Sequence, residues 1–149
     1  MKETSKTQIE LARSIKNLMH RLRQSMDKQL SPLGITTAQY AALSVLIEQP
    51  EVSGAEIARK CRVTPQTAHQ LLTALEANGW VKREKHPSNE KVLWVKLTTG
   101  GETVIKKARP ERLKVVQTML KGFSPADLQK FKGFLDRCMN NLPGGTKDA

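Results

Sequence analysis

The sequence predicts a mainly α-helical protein with one small β-hairpin set between helices. Three observations predict it. Apolar residues recur at helical spacing in the first and last thirds of the chain. Two short, capped segments separated by a turn lie near the middle. Directly after Gly79 the apolar period changes to that of a strand. With 149 residues the chain is about one domain long and can bury a core without metal or disulfide staples.

The elements follow in order. Residues 8–30 carry Leu11, Ile15, Leu18, Leu22 and Met26 on one helical stripe, stopped by Ser31, Pro32 and Gly34. Thr36 and Gln39 form a T-x-x-Q capping box for a second helix. That helix is expected to bury Tyr40, Leu43, Val45 and Leu46, to run to about Glu48 and to end before Pro50. Ser53 and Glu56 form a further box, opening a short helix to Cys61 with Ala55, Ile57 and Ala58 inside. Thr64 reads as an N-cap and Pro65 as the first residue of a helix that reaches Asn78 and stops at Gly79. Two short helices joined by a turn at residues 62–64 make a helix-turn-helix. Residues 80–84 and 92–97 read as strands joined by a polar loop over residues 86–90, and a hairpin in that place is a wing. Thr98 or Thr99 caps a long helix through Val104, Ile105, Ala108, Leu113, Val116, Met119 and Leu120, which Pro110 is expected to kink or break. Ser124 and Pro125 open the last helix, with Leu128, Phe131, Leu135, Cys138 and Leu142 on its stripe. Residues 143–149 read as a flexible tail.

Charge narrows the function. The 25 bases and 14 acids give a net +11 and a pI near 10.0, as for a protein that faces a polyanion. Residues 1–52 hold 7 bases and 5 acids, residues 53–98 hold 8 and 4, and residues 99–149 hold 10 and 5. The excess is spread along the chain, so it supports long-range attraction to DNA without locating the contact. Cys61 and Cys138 stand far apart, with neither a disulfide framework nor zinc spacing. No metal and no cofactor is expected. The polar start and the Ser, Pro, Gly and Thr residues within the uncharged run at 29–47 fit neither a signal core nor a membrane span. A soluble, cytoplasmic protein is expected, with no membrane partner. The H-E-x-x-H, P-loop, G-x-G-x-x-G and G-x-S-x-G patterns do not occur, and His20, His69 and His86 lack ligand spacing, so no catalytic residue is assigned.

The helix opened by Pro65 carries the functional pattern. At 3.6 residues per turn, Ala68, Leu71, Leu72 and Leu75 fall on one side. Gln66, Gln70 and Thr73 fall opposite, with Thr67 and His69 on the flanks. That outer face holds no Lys or Arg, and its one acid is Glu76. Amide and hydroxyl groups suit base edges: glutamine pairs bidentately with adenine, and threonine meets a thymine methyl or a polar edge. Thr64, Pro65, Gln66, Thr67, His69, Gln70 and Thr73 are therefore candidate DNA contacts, a plain solvated face being the alternative. The wing adds Lys82, Arg83, Lys85 and Lys91, with His86 at its tip, for phosphates or the minor groove. Glu84 and Glu90 dilute this charge and leave open a wing that meets protein instead.

These residues resemble a known family. Ile35-Thr36-Thr37-Ala38-Gln39-Tyr40, Glu56-Ile57-Ala58 and Val63-Thr64-Pro65-Gln66-Thr67 are followed by Leu75-Glu76-Ala77-Asn78-Gly79-Trp80-Val81-Lys82-Arg83. Val95-Lys96-Leu97-Thr98 with Gly101, then Phe123-Ser124-Pro125, complete the series. Together they resemble the MarR-type (multiple antibiotic resistance) winged helix-turn-helix transcriptional regulators, over residues 8–142. The resemblance implies a single MarR-like domain over residues 1–149, with a helical dimerisation region at 8–35 and 99–142 and a DNA-binding region at 36–98. It implies a homodimer on double-stranded DNA, repressing from a pseudo-palindromic operator, with one recognition helix in each of two major grooves. It further implies release by a small aromatic or phenolic effector in a cleft lined by the first, second and fifth helices. There His20, Arg23 and Tyr40 would supply polar groups, and Met19 and Met26 apolar walls. Tyr40 also fits the core, and His20 and Arg23 a surface or interface. Some relatives sense oxidants through cysteine. Cys61, between Lys60 and Arg62, is the candidate here, and a packed structural thiol is the alternative reading for both cysteines. The chain departs from the pattern twice. Asn89-Glu90-Lys91 stands where the family's wing carries Asp-x-Arg, and Gln70 stands where an arginine is common. Both departures predict altered sequence preference.

Overall fold

The computed structural model describes residues 2–144, so the last part of the expected tail, residues 145–149, lies outside the described residues. The elements run α1 (Lys2–Leu30), α2 (Thr37–Glu48), β1 (Glu51–Ser53), α3 (Gly54–Cys61), α4 (Pro65–Ala77), β2 (Val81–His86), β3 (Asn89–Leu97), α5 (Thr99–Met119) and α6 (Pro125–Asn141). The chain divides into two compact units, with the boundary between Val116 and Gln117.

In the first unit, α1 begins at Lys2 rather than residue 8. No breaker precedes the apolar stripe, and Glu3 in the first turn and Lys28 in the last complement the helix dipole. A 3₁₀ turn, Ser31–Leu33, closes on Gly34 in the left-handed region (φ +70°). The capping box of α2 is complete: Thr36 Oγ1 accepts from the Gln39 N–H, and Gln39 Oε1 accepts from the Thr36 N–H, each at 3.1 Å. Asp27 Oδ1 accepts from the Thr37 N–H at 2.8 Å and ties the end of α1 to the start of α2. Hydrogen bonding from Thr37, aided by the charge of Arg23, holds the Asp27 carboxyl below its ordinary value.

The sheet corrects the sequence expectation in two ways. It has three antiparallel strands in the order β1-β3-β2, not a bare hairpin. The added strand, β1, pairs Val52 with Val95 and is too short to show a period. The hairpin is also longer and tighter than expected. Strand pairing reaches His86 and Asn89, leaving Pro87 and Ser88 as the turn. One sheet face holds Val52, Val81, Val95 and Leu97 against the helices. The core runs from Leu30, Ile35, Leu43 and Leu46 through Ile57, Leu72 and Leu75 to Ile105 and Ala108. Two smaller expectations at α3 also fail. Ala55 is exposed rather than inside, and Glu56 turns to Arg59 (2.6 Å) instead of completing the box with Ser53. Ser53 Oγ still accepts from the Glu56 N–H at 3.2 Å.

Thr98 starts α5: its hydroxyl accepts from the Gly101 N–H at 3.1 Å and donates to the Gly79 carbonyl at 2.6 Å. Gly101 is needed for this junction, because a Cβ there would lie 2.1 Å from the Trp80 carbonyl oxygen and 2.6 Å from Leu97 Cδ1. Pro110 sits inside α5 and does not divide it. The bond it forfeits belongs to the carbonyl of Lys106, an exposed residue where water can replace the donor.

In the second unit, α6 opens with a complete capping box, Ser124 with Asp127, and buries none of its own residues. The backbone and side-chain hydrogen bonds from Ser124 hold the Asp127 carboxyl below its ordinary value. The Phe123 and Phe131 rings meet at 6.2 Å. Among the described residues no single helix is long and apolar enough to cross a membrane.

Candidate nucleic-acid interface

The turn into α4 is built by Arg62 in the left-handed region (φ 55°), and the Val63 N–H then closes on the Ala58 carbonyl at 3.0 Å. Thr64 caps α4 as expected. Its hydroxyl accepts from the Thr67 N–H at 3.1 Å and bonds the Thr67 hydroxyl at 2.9 Å. Ala68, Leu72 and Leu75 are buried, which fixes the rotation of the helix. Pro65, Gln66, Thr67, His69, Gln70 and Thr73 are then exposed together. The side-chain amides of Gln66 and Gln70 have no partner among the described residues. They are free to pair outside the chain.

The wing is less cationic than its sequence implies. Arg83 does not project outward but folds back on α4, its side chain only 18% exposed. Its Nε donates to Glu76 at 2.9 Å, its Nη2 to the Thr73 hydroxyl at 3.4 Å, and its Nη1 lies 3.3 Å from His69 Nδ1. The Arg83 hydrogen bonds and charge hold the Glu76 carboxyl below its ordinary value. On the opposite sheet face Lys82 and Lys96 stand directly opposite each other, and Glu84 bridges them at 2.7 and 2.9 Å. Hydrogen bonds from Lys82, then from Lys96, pull the Glu84 carboxyl down to about 2. Lys85 and Lys91 remain exposed, without an ion pair among the described residues. His86 stacks on Trp94 at 4.8 Å, and its Nδ1 accepts from the Ser88 N–H at 2.9 Å. That contact, with the Asn89 side-chain Oδ1 accepting from the Lys91 N–H at 3.2 Å, tightens the turn and draws Asn89 and Glu90 from the expected loop into β3. Between the start of α4 and the sheet lies a cleft of about 380 Å³, lined by Ser53, Pro65, His69, Arg83, Lys91 and Leu93 among others.

Sequence reasoning found the outer face of α4 and missed the role of Glu76, which it noted only as a lone acid. The available signal was the opposite charge of Glu76 and Arg83 on either side of the Gly79 turn.

The other predicted residues are dispersed. Tyr40 is buried, with the Arg112 guanidinium 5.4 Å above its ring. His20 and Arg23 are exposed on α1, Met19 is exposed and Met26 is buried. A cleft of about 540 Å³ beside the end of α1 is lined by Lys28, Gln29, Pro32, Leu33, Lys107 and Glu111, and by none of His20, Arg23 and Tyr40. The Gln29 amide donates to Glu111 across it. Burial pushes the Cys61 thiol up, which opposes a reactive thiolate. Cys138 is exposed on α6 rather than packed. Among the described residues no group of three or more His, Cys, Asp or Glu side chains is placed to hold a metal.

Comparison with known proteins agrees with this architecture. The MarR family's sequence profile matches residues 33–91. The HTH-type transcriptional repressor Rv2887 of Mycobacterium tuberculosis is 32% identical over 116 residues, covering 78% of this chain and 84% of the relative. The chain belongs to the MarR family. As a member it is a winged helix-turn-helix regulator of transcription. The multiple antibiotic resistance protein MarR of Escherichia coli is 32% identical over 91 residues, 58% of this chain and 63% of that protein. Among solved structures, a MarR variant from E. coli complexed with operator DNA superposes with a TM-score of 0.81 at 24% identity, over 87% of this chain and 94% of that one. A MarR family transcriptional regulator from Streptomyces coelicolor, in complex with DNA, gives 0.80 at 24% identity, over 91% and 87%. These two likenesses establish the MarR fold for the chain.

Proposed function

We propose that this MarR-family protein represses transcription as a homodimer bound to a pseudo-palindromic operator in double-stranded DNA. The observation that carries the reading is the outer face of α4: a capped, rigidly seated helix whose Gln66 and Gln70 amides are exposed and unpaired. It suits a major groove, where glutamine pairs bidentately with adenine. Thr64, Pro65, Thr67, His69 and Thr73 complete the reading surface, while Lys85, His86 and Lys91 meet the backbone beside it. Arg83 serves the same surface from within. Residues 36–98 form the DNA-binding region. Residues 8–35 and 99–142 form the dimerisation region, where exposed Ile9, Leu11, Ile15 and Leu18 of α1 and Phe134, Leu135 and Met139 of α6 meet a second copy. The protein works in the cytoplasm. A small aromatic or phenolic effector releases the DNA.

The test is selection of bound fragments from the source genome by purified protein at near-physiological salt. An enriched pseudo-palindrome beside one or a few promoters is expected. Gln70→Ala changes the preferred sequence. Lys91→Ala weakens all sequences about equally and lowers the salt slope by about 1. Absence of binding to any fragment overturns the reading. The pairing of Lys82 and Arg83 within the protein favours one rival, a wing that docks on protein. Such a contact would respond far less to salt than phosphate binding, which falls by several powers of ten over a few-fold rise in salt when many phosphates are met.

A further inference from the structure

The inner flank of the wing ends in a side chain that touches the recognition helix three times. Arg83 is fixed by Glu76 at its Nε and by Thr73 at its Nη2. The Thr73 hydroxyl already donates to the His69 carbonyl at 2.9 Å, so toward Arg83 it accepts, in keeping with the guanidinium as donor. The third contact is Nη1 at 3.3 Å from His69 Nδ1. A guanidinium stays protonated and has only donors. His69 Nδ1 must therefore offer its lone pair, and a neutral ring then carries its proton on Nε2. His69 is exposed, and its Nε2 has no partner among the described residues.

We propose that Arg83 is a positioning residue for DNA reading: it locks His69 in the Nε2–H tautomer, so that His69 presents a hydrogen-bond donor to an acceptor on a base edge. In the major groove the acceptors are guanine N7 and O6, adenine N7 and thymine O4. The other tautomer would present an acceptor and favour the amino groups of cytosine or adenine. The strand that begins the wing thus sets the sign of a hydrogen bond made from the recognition helix. The inference rests on the DNA-reading function proposed above, but its first test does not require DNA.

That test is a long-range ¹H–¹⁵N correlation spectrum of the full chain labelled at histidine, near neutral pH. The wild type is expected to show His69 with an unprotonated Nδ1 and a protonated Nε2. Arg83→Met keeps the apolar stem and removes the donors, and it turns this signal into a tautomer mixture. Arg83→Lys restores it in part. Glu76→Gln weakens the Nε anchor without touching the core and gives a smaller change of the same kind. In fragment selection, Arg83→Met relaxes preference at one base pair per half-site by about tenfold. His69→Gln retains that preference, because its amide donor occupies the place of Nε2–H. A wild-type His69 with its proton on Nδ1, or a mixture that Arg83→Met leaves unchanged, overturns the lock whatever the DNA result. A locked tautomer with equal weakening of all sequences in Arg83→Met overturns the reading role. A wild type that shows the lock and binds no duplex overturns the function proposed above, and the reading role with it.

Discussion

The region from α2 to the start of α5 buries its apolar side chains within one chain, whereas α6 and the first half of α1 leave theirs exposed. Leu43, Ile57, Leu75 and Ile105 are at or near zero exposure, while Phe134 is 59% and Leu142 68% exposed. Both regions have sound helices. The capping box of α6 is as complete as that of α2. Local helix signals therefore do not separate them, and what separates them is whether each stripe finds a partner. A helix–sheet layer closes around a core by itself. A long helix with an uncovered stripe leaves apolar area in water, at about 25 cal/mol for each Å². One region is a finished fold and the other fits an interface.

Four changes would break or sharpen that contrast. The largest effect is expected inside the finished region. Gly101→Ala forces a methyl against the Trp80 carbonyl and Leu97, and should cost about 2–3 kcal/mol in urea or thermal unfolding. A smaller loss would mean that the junction from strand to α5 is looser than its geometry implies. Next, Leu135→Asp on α6 places a charge on the exposed stripe. It should weaken self-association at least about tenfold by analytical ultracentrifugation and remove a concentration dependence of Tm. An unchanged oligomeric state would remove α6 from the proposed interface.

The third change probes the sheet's outer face. Glu84 has a folded value of about 2 against an ordinary 4.5, so its contribution is fully present above pH 4.5 and is lost as pH falls toward 2. Glu84→Gln should flatten the stability profile in that window and leave the charged Lys82 and Lys96 opposite each other with only Glu51 beside Lys96. An unaltered acid limb in stability-versus-pH curves would count against the bridge. The smallest effect is expected at the helix-turn-helix corner. Arg62→Gly relieves a left-handed backbone and should stabilise by about 0.5–1 kcal/mol, read as a rise in Tm.

What the sequence by itself determined is the local part of the protein. The starts of α2, α4 and α6 stand where Thr36 with Gln39, Thr64 with Pro65, and Ser124 with Pro125 place them. A cap is a bond between residues three apart and needs nothing else in the chain. The outer face of α4 was legible for a similar reason: helical geometry places Gln66, Gln70 and Thr73 opposite the buried leucines. Tertiary structure decided whatever depends on residues distant in sequence. Val52 becomes a strand residue because Val95 pairs with it. The hairpin closes at Pro87 because His86 finds Trp94. Arg83, which the sequence places among the cations of the wing, turns inward because the fold brings Glu76, Thr73 and His69 within its reach. A side chain's neighbours along the chain fix its secondary structure, but its charge and hydrogen bonds are satisfied by whatever the packed fold brings close.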